Sequence, residues 1–244
     1  MDGNPVPDYG IGSSGKNIII TSFTCEGVYR WSRVIGWEGS NNRVFNMILD
    51  NNGGIYVSVA VNNIGNTSYP QTCFSDDDCL PYIAGGPDVE QEGYKTGFLL
   101  KYDTATGELV WRKNYQGDVN IYNGSIGIFD LQIDSNNILH TIIALKEGVH
   151  LNGALTVELD ENETYKQYLV KFDSTTGNLI GTPLWLPLVG GNNFTFRYDE
   201  VLNRYYLAGW NTSSSSNIPS FNGTTFEASS TGNYNFFLSF TPTI

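Results

Sequence analysis

The chain has 244 residues and a mass of 27.0 kDa, enough to bury a substantial core, and its 40% hydrophobic and 14% aromatic content excludes disorder by composition. A formal charge of −12 and a pI of about 4.4 exclude charge-driven binding to nucleic acid or to an anionic membrane. No apolar run is long enough to span a bilayer, so no membrane insertion is expected.

In chain order, Met1 to Gly15 is rich in Gly, Pro and Ser and reads as an extended lead-in without the basic and apolar regions of an export leader. Ile18–Phe23 is a β-branched strand, Glu26-Gly27 a turn and Val28–Ile35 its hairpin partner. Val44–Leu49 and Ile55–Val61 flank DNNGG, whose residues tolerate positive φ. A long insertion, Asn62 to Thr96, follows. Phe98–Tyr102 and Glu108–Tyr115 then flank a turn at Thr104–Gly107, and Ile128–Ile133 and Ile138–Leu145 flank Asp134–Asn137. The last strands are Tyr168–Phe172, Leu179–Leu188, Asn193–Tyr198, Arg204–Gly209 and Phe236–Phe240.

These segments repeat. FLLKYDTATGELVW (Phe98 to Trp111) returns as YLVKFDSTTGNLI (Tyr168 to Ile180), in shorter form as IIITSFTCEGVYRW (Ile18 to Trp31), and in part as NFFLSFT (Asn235 to Thr241). Equivalent residues Lys101 and Lys171 set a period of about 70 residues. Ile83-Ala84-Gly85, Leu151-Asn152-Gly153 and Phe221-Asn222-Gly223 mark each connector. The expected fold is all-β: propeller-type repeats of four short antiparallel strands, with cycles near 18–97, 98–167 and 168–235 and a terminal strand at 236–244 that opens a fourth. Trp31, Trp111, Tyr102 and Phe172 are then packing residues between repeats.

Lys101 to Trp111 resembles the Asp-x-x-Thr-Gly-x-x-x-Trp motif of quinoprotein-like propellers, through Asp103, Thr106, Gly107 and Trp111. The whole repeat, Lys16 to Ile244, resembles the SBBP-type repeats of secreted bacterial proteins, common in Bacteroidetes; DNNGGIYVSVAV (Asp50 to Val61) and YYLAGW (Tyr205 to Trp210) carry that likeness. The resemblance implies export, a secreted or cell-surface location and often type IX secretion. Its motifs are structural and specify fold rather than chemistry. The cofactor pocket of a quinone enzyme is not implied, since no adjacent cysteine pair and no cluster of acids beyond the turns is visible.

Cys73 and Cys79 in CFSDDDC are expected to pair and close a small loop, which implies an oxidising compartment; two thiols or a pair with Cys25 are the alternatives. Asp76, Asp77 and Asp78 form an oxygen-rich loop suited to calcium, with a solvated acidic loop as the alternative. His140 and His150 are the only histidines, too few for a three-His zinc site, and no nucleophile elbow or phosphate loop is present. No catalytic residue and no other cofactor is assigned. The variable connectors are the expected contact surfaces, with Tyr69, Phe74, Tyr82, Phe221 and Tyr234 as aromatics for an extracellular protein or glycan partner. The expected function is a non-enzymatic structural or binding module, as in an adhesin or a larger extracellular assembly. The rival readings are a polysaccharide-acting enzyme with an axial site and a filament subunit.

Overall fold

The computed structural model describes residues 17–36, 42–62, 72–75, 77–79, 95–115, 127–161, 163, 165–186, 188–189, 192–211, 220–221, 224–225 and 234–242. The lead-in, Tyr69, Asp76 and Tyr82 lie outside them. Among the described residues the chain is β-structure, with one 3₁₀ turn at Leu151–Gly153. It divides into two compact units, Met1–Ser125 with Val149–Gly153, and Ile126–Gly148 with Ala154–Ile244.

In the first unit, β1 (Ile18–Phe23) and β2 (Tyr29–Ile35) form an antiparallel hairpin, the first sheet. β3 (Arg43–Leu49), β4 (Gly54–Asn62), β5 (Lys95–Asp103) and β6 (Leu109–Asn114) form an antiparallel meander, the second sheet. Strand alternation gives each sheet two faces. Ile18, Ile20, Trp31 and Ile35 of the first sheet pack on Ile55, Val57, Val59, Val61, Phe98, Leu100 and Tyr102 of the second. Face-on-face burial of this kind is what lets short-stranded sheets persist.

The second unit repeats the scheme. β7 (Gly127–Ile133) and β8 (Ile138–Leu145) are followed in the chain by the short strands β9 (Gly148–His150), most of which falls in the first unit, and β10 (Leu155–Val157), and then by β11 (Lys166–Asp173) and β12 (Leu184–Leu186). The third sheet has the order β7-β8-β11-β12. β13 (Leu188–Val189), β14 (Asn192–Asp199), β15 (Arg204–Asn211), β16 (Ser220–Phe221), β17 (Thr224–Thr225) and β18 (Tyr234–Phe240) complete the chain, and the fourth sheet is β14-β15-β18. Ile142, Leu169 and Leu186 of the third sheet pack on Phe196, Tyr205, Leu207, Phe236 and Leu238 of the fourth. The edge strands β7 and β14 are also tied. Asp130 accepts hydrogen bonds from Thr195 Oγ1 (2.6 Å) and Phe196 N (3.0 Å), and the Gln132 amide bonds both N and O of Tyr198.

The four-stranded antiparallel meander, stacked by its faces, is a propeller-type blade. The sheets are out of phase with the sequence cycles, however. The second, third and fourth each join the hairpin before a long connector to the strand after it: β4 pairs β5, β8 pairs β11, and β15 pairs β18. Phe236–Phe240 is therefore the third strand of the fourth sheet, where the sequence suggested the start of a new cycle. Leu179–Leu188, expected as one strand, is broken. Only Leu179 bridges to Phe172 before Gly181 turns at φ 67° and Pro183 withholds an N–H, and pairing resumes at Leu184.

The repeated Asp-Thr-Gly motif is explained by its turn. Asp103 Oδ1 accepts from Ala105 N, Thr106 N and Thr106 Oγ1, while Thr106 Oγ1 caps Glu108 N. Asp173, Thr175, Thr176 and Asn178 reproduce each bond. Gly107 and Gly177 supply φ of 69° and 67°. The Trp31 indole lies against Gly107, where a Cβ would come within 2.5 Å of the ring, and donates to Thr104 O at 3.0 Å. The motif thus builds a turn and the seat for a tryptophan of the preceding sheet.

Candidate functional site at the disulfide loop

Cys73 and Cys79 form a disulfide, and Cys25 is an exposed thiol. The loop between them is fixed to the first unit at three further points. Cys73 exchanges backbone hydrogen bonds with Gly36, at 3.2 and 3.4 Å. Phe74 is fully buried, its ring 4.9 Å from that of Phe98, and its carbonyl accepts the Tyr102 hydroxyl at 2.9 Å. Asp78 receives both of its bonds from Arg112 Nε, at 2.9 and 2.7 Å, and the Arg112 guanidinium lies 5.2 Å over the Phe74 ring. Inside the loop, Phe74 N donates to Asp78 O and Asp78 N to Ser75 Oγ.

Beside this loop opens a groove of about 450 Å³, lined by Asp77, Asp78, Ser75 and, from the sheets, Arg33, Glu108 and Trp111. Leu109 and Val110 add apolar lining. Arg33 is held at the rim: its Nε donates to Gly107 O at 2.7 Å and its Nη2 to Thr106 O at 3.2 Å. Asp77 and Glu108 are exposed. The groove combines the Trp111 aromatic ring and the Arg33 guanidinium from the sheets with the exposed carboxylates of Glu108 and, from the loop, Asp77.

Of the aromatics expected on contact surfaces, Phe74 is a core residue rather than a surface one. Its ring lies between Phe98 and Arg112, and burial of that ring anchors the loop. Phe221 and Tyr234 lie in β16 and β18; Tyr69 and Tyr82 are outside the described residues. Of the three aspartates expected to suit calcium, Asp78 pairs its carboxylate with Arg112, Asp77 is exposed at the groove, and Asp76 is outside the described residues. Among the described residues no three His, Cys, Asp or Glu side chains gather as a metal-holding group.

A second polar cluster, in the second unit, escaped the sequence reading. Asp134 Oδ1 caps Asn136 N and Ile138 N, and its Oδ2 lies 3.1 Å from His140 Nε2. His140 Nδ1 lies 2.6 Å from the Tyr205 hydroxyl. Because a carboxylate only accepts, Nε2 carries the imidazole proton and Nδ1 accepts from Tyr205. The His140 ring stacks on Tyr198 at 4.5 Å, and Tyr198 on Tyr205 at 4.7 Å. Burial holds the His140 pKa below its ordinary value even though Asp134 pulls the other way, and burial pushes the Tyr205 hydroxyl far up. An Asp–His–Tyr chain has the parts of a proton relay, but His140 and Tyr205 are each only 1% exposed, so a substrate has no access to it. It is a satisfied core network.

No known protein family and no curated protein matches the chain. Among solved structures it is similar to a europium-containing methanol dehydrogenase, with 11% identity, a TM-score of 0.30, and coverage of 93% of this chain and 56% of that one. The chain thus spans little more than half the length of that enzyme, and a likeness so distant says nothing about activity. No helix among the described residues is long and apolar enough to cross a membrane.

Proposed function

We propose that the chain is a structural or binding module of a secreted or cell-surface protein, and that it engages an extracellular partner through the groove beside the Cys73–Cys79 loop. The observation that carries this reading is the anchoring of the loop. Its disulfide, its buried Phe74 and its Asp78–Arg112 pair fix the backbone, while Asp77, Glu108 and Trp111 remain around an open groove. A surface held rigid before binding loses little conformational entropy on binding. A stable disulfide suits an oxidising compartment, in keeping with the resemblance to exported SBBP-type repeats. An aromatic wall with carboxylates beside it suits a sugar ring or a basic side chain.

The test is binding of the full chain to immobilised oligosaccharides and to Lys/Arg-rich peptides, read by biolayer interferometry. Trp111→Ala is expected to weaken the selected interaction about tenfold or more, a loss of about 1.4 kcal/mol. Asp77→Asn with Glu108→Gln, both at exposed positions, is expected to weaken it without altering the fold. Binding by all these variants at wild-type strength would remove the groove from consideration.

A further inference from the structure

Within each unit, one sheet lends a face to the next, and the residues at the contact occupy the same register positions. Tyr56 lies opposite Lys101, His140 opposite Lys171 and Tyr206 opposite Ser239, while Trp111 lies opposite Lys101 as Trp31 does opposite Ser22. Ser22, Lys101, Lys171 and Ser239 are therefore one position in four sheets. Two residues earlier stand Ile20, Leu99, Leu169 and Phe237.

Ile20 packs on the second sheet and Leu169 on the fourth. Ile20 is 7% exposed, Leu99 0% and Leu169 2%, but Phe237 is 68% exposed. Its neighbours on that face are half-buried or exposed. Tyr206 stacks on Phe237 at 6.0 Å, and Thr195, Arg197 and Ser239 are exposed. The lending face of the fourth sheet, apolar at its centre, is uncovered.

The opposite kind of face is open on the first sheet. In the second sheet the receiving positions on the third strand are Phe98 and Tyr102, both fully buried in the core they share with Ile18, Ile20 and Trp31 of the first sheet and with Phe74. Their equivalents on β1 are Ile19 and Phe23, which are 49% and 46% exposed. The β2 half of the same face, at Ser32 and Val34, is buried, so β1 carries the open part.

We propose that the Phe237 face of one copy of this chain receives the Ile19–Phe23 face of a second copy, so that the chain assembles head to tail. This repeats between molecules the sheet-on-sheet contact that the chain makes twice within itself. It uses different surfaces from the groove and does not depend on it. Because the two faces differ, the interface is heterologous, and each added copy leaves a fresh Phe237 face free. The formal charge of −12 opposes this association, so screening by salt strengthens it.

Sedimentation velocity on the full chain tests the proposal. The average mass is expected to rise above 27.0 kDa with protein concentration, and to rise further in higher salt. Phe237→Ser, and separately Ile19→Ser with Phe23→Ser, are each expected to give monomers, with unchanged circular dichroism to show that the fold persists. An equimolar mixture of the two variants has one intact pair of faces and is expected to stop at a dimer of twice the monomer mass. A wild-type chain that is monomeric at all concentrations overturns the proposal. So does assembly that survives either variant, or a mixture that stays monomeric.

Discussion

The turn aspartates of the second and third sheets begin alike and end differently. Asp50 caps Asn52 N and Gly54 N with one oxygen and takes the Tyr56 hydroxyl at 2.7 Å with the other. Asp134 caps Asn136 N and Ile138 N in the same way, but its second oxygen meets His140. Tyr56 and His140 are the same position by register. Burial raises the Asp50 carboxyl pKa, but the bonds from Gly54, Tyr56 and Asn52 and the nearby Lys101 outweigh it and hold it below the ordinary value. One donor suffices there, because Tyr56 has a single polar atom. His140 has two, and the second must be satisfied inside the core. Tyr205 of the fourth sheet does so, at a sequence separation of 65. A local cap in the first unit has thus become a link between sheets in the second.

The difference can be broken most severely at His140. His140→Ala removes a buried ring and leaves the Asp134 carboxylate and the Tyr205 hydroxyl each short of a partner. A loss of about 4 kcal/mol is expected in urea unfolding of the second unit. A loss under about 1 kcal/mol would mean that the network adds nothing beyond packing. The matching change in the first unit, Tyr56→Phe, keeps the ring and removes one hydrogen bond, so a loss of about 1 kcal/mol is expected in urea unfolding of the first unit. The third effect is smaller and comes from acid. The His140 pKa is lowered by burial, so the unfolded chain takes up this proton before the folded one. The stability contributed by neutral His140 is complete well above the unfolded pKa near 6.5 and declines as pH falls through it. Between pH 7.5 and 6.5 the decline is about 0.35 kcal/mol at most. It should vanish in His140→Leu, and an identical pH slope in that variant would assign it to other groups.

The strands were legible because their turns were. Each turn sets an aspartate acceptor before a residue tolerant of positive φ, three residues on in DNNGG and DSNN and four in DTATG and DSTTG, and the hairpins fall on either side. What stayed hidden depends on distance in sequence. Which hairpin joins which strand is decided across the long connectors, where no local pattern points to the partner. Phe74 looked like a surface residue because CFSDDDC is polar around it, yet the disulfide and Arg112 let that polar segment lie over the core. His140 looked like an ordinary strand residue. Its six-residue spacing from Asp134, matched by Tyr56 and Asp50, was the one signal of a shared cap, and nothing nearby pointed to Tyr205.

The offset between sheets and cycles also bears on how the chain folds. Each hairpin closes over a short turn and can form within microseconds, but a complete sheet waits for a strand that arrives after a connector, as when Lys95 reaches Asn62. Hairpins are therefore expected to appear early and the joins β4–β5, β8–β11 and β15–β18 late. The entropy of such a join grows only with the logarithm of the connector, so one half as long again costs about 0.4 kcal/mol more. The segment that carries the disulfide loop lies in one of these connectors. Outside the anchored Cys73–Cys79 loop it can lengthen at small cost in stability, while β4 and β5 on either side of it keep their pairing.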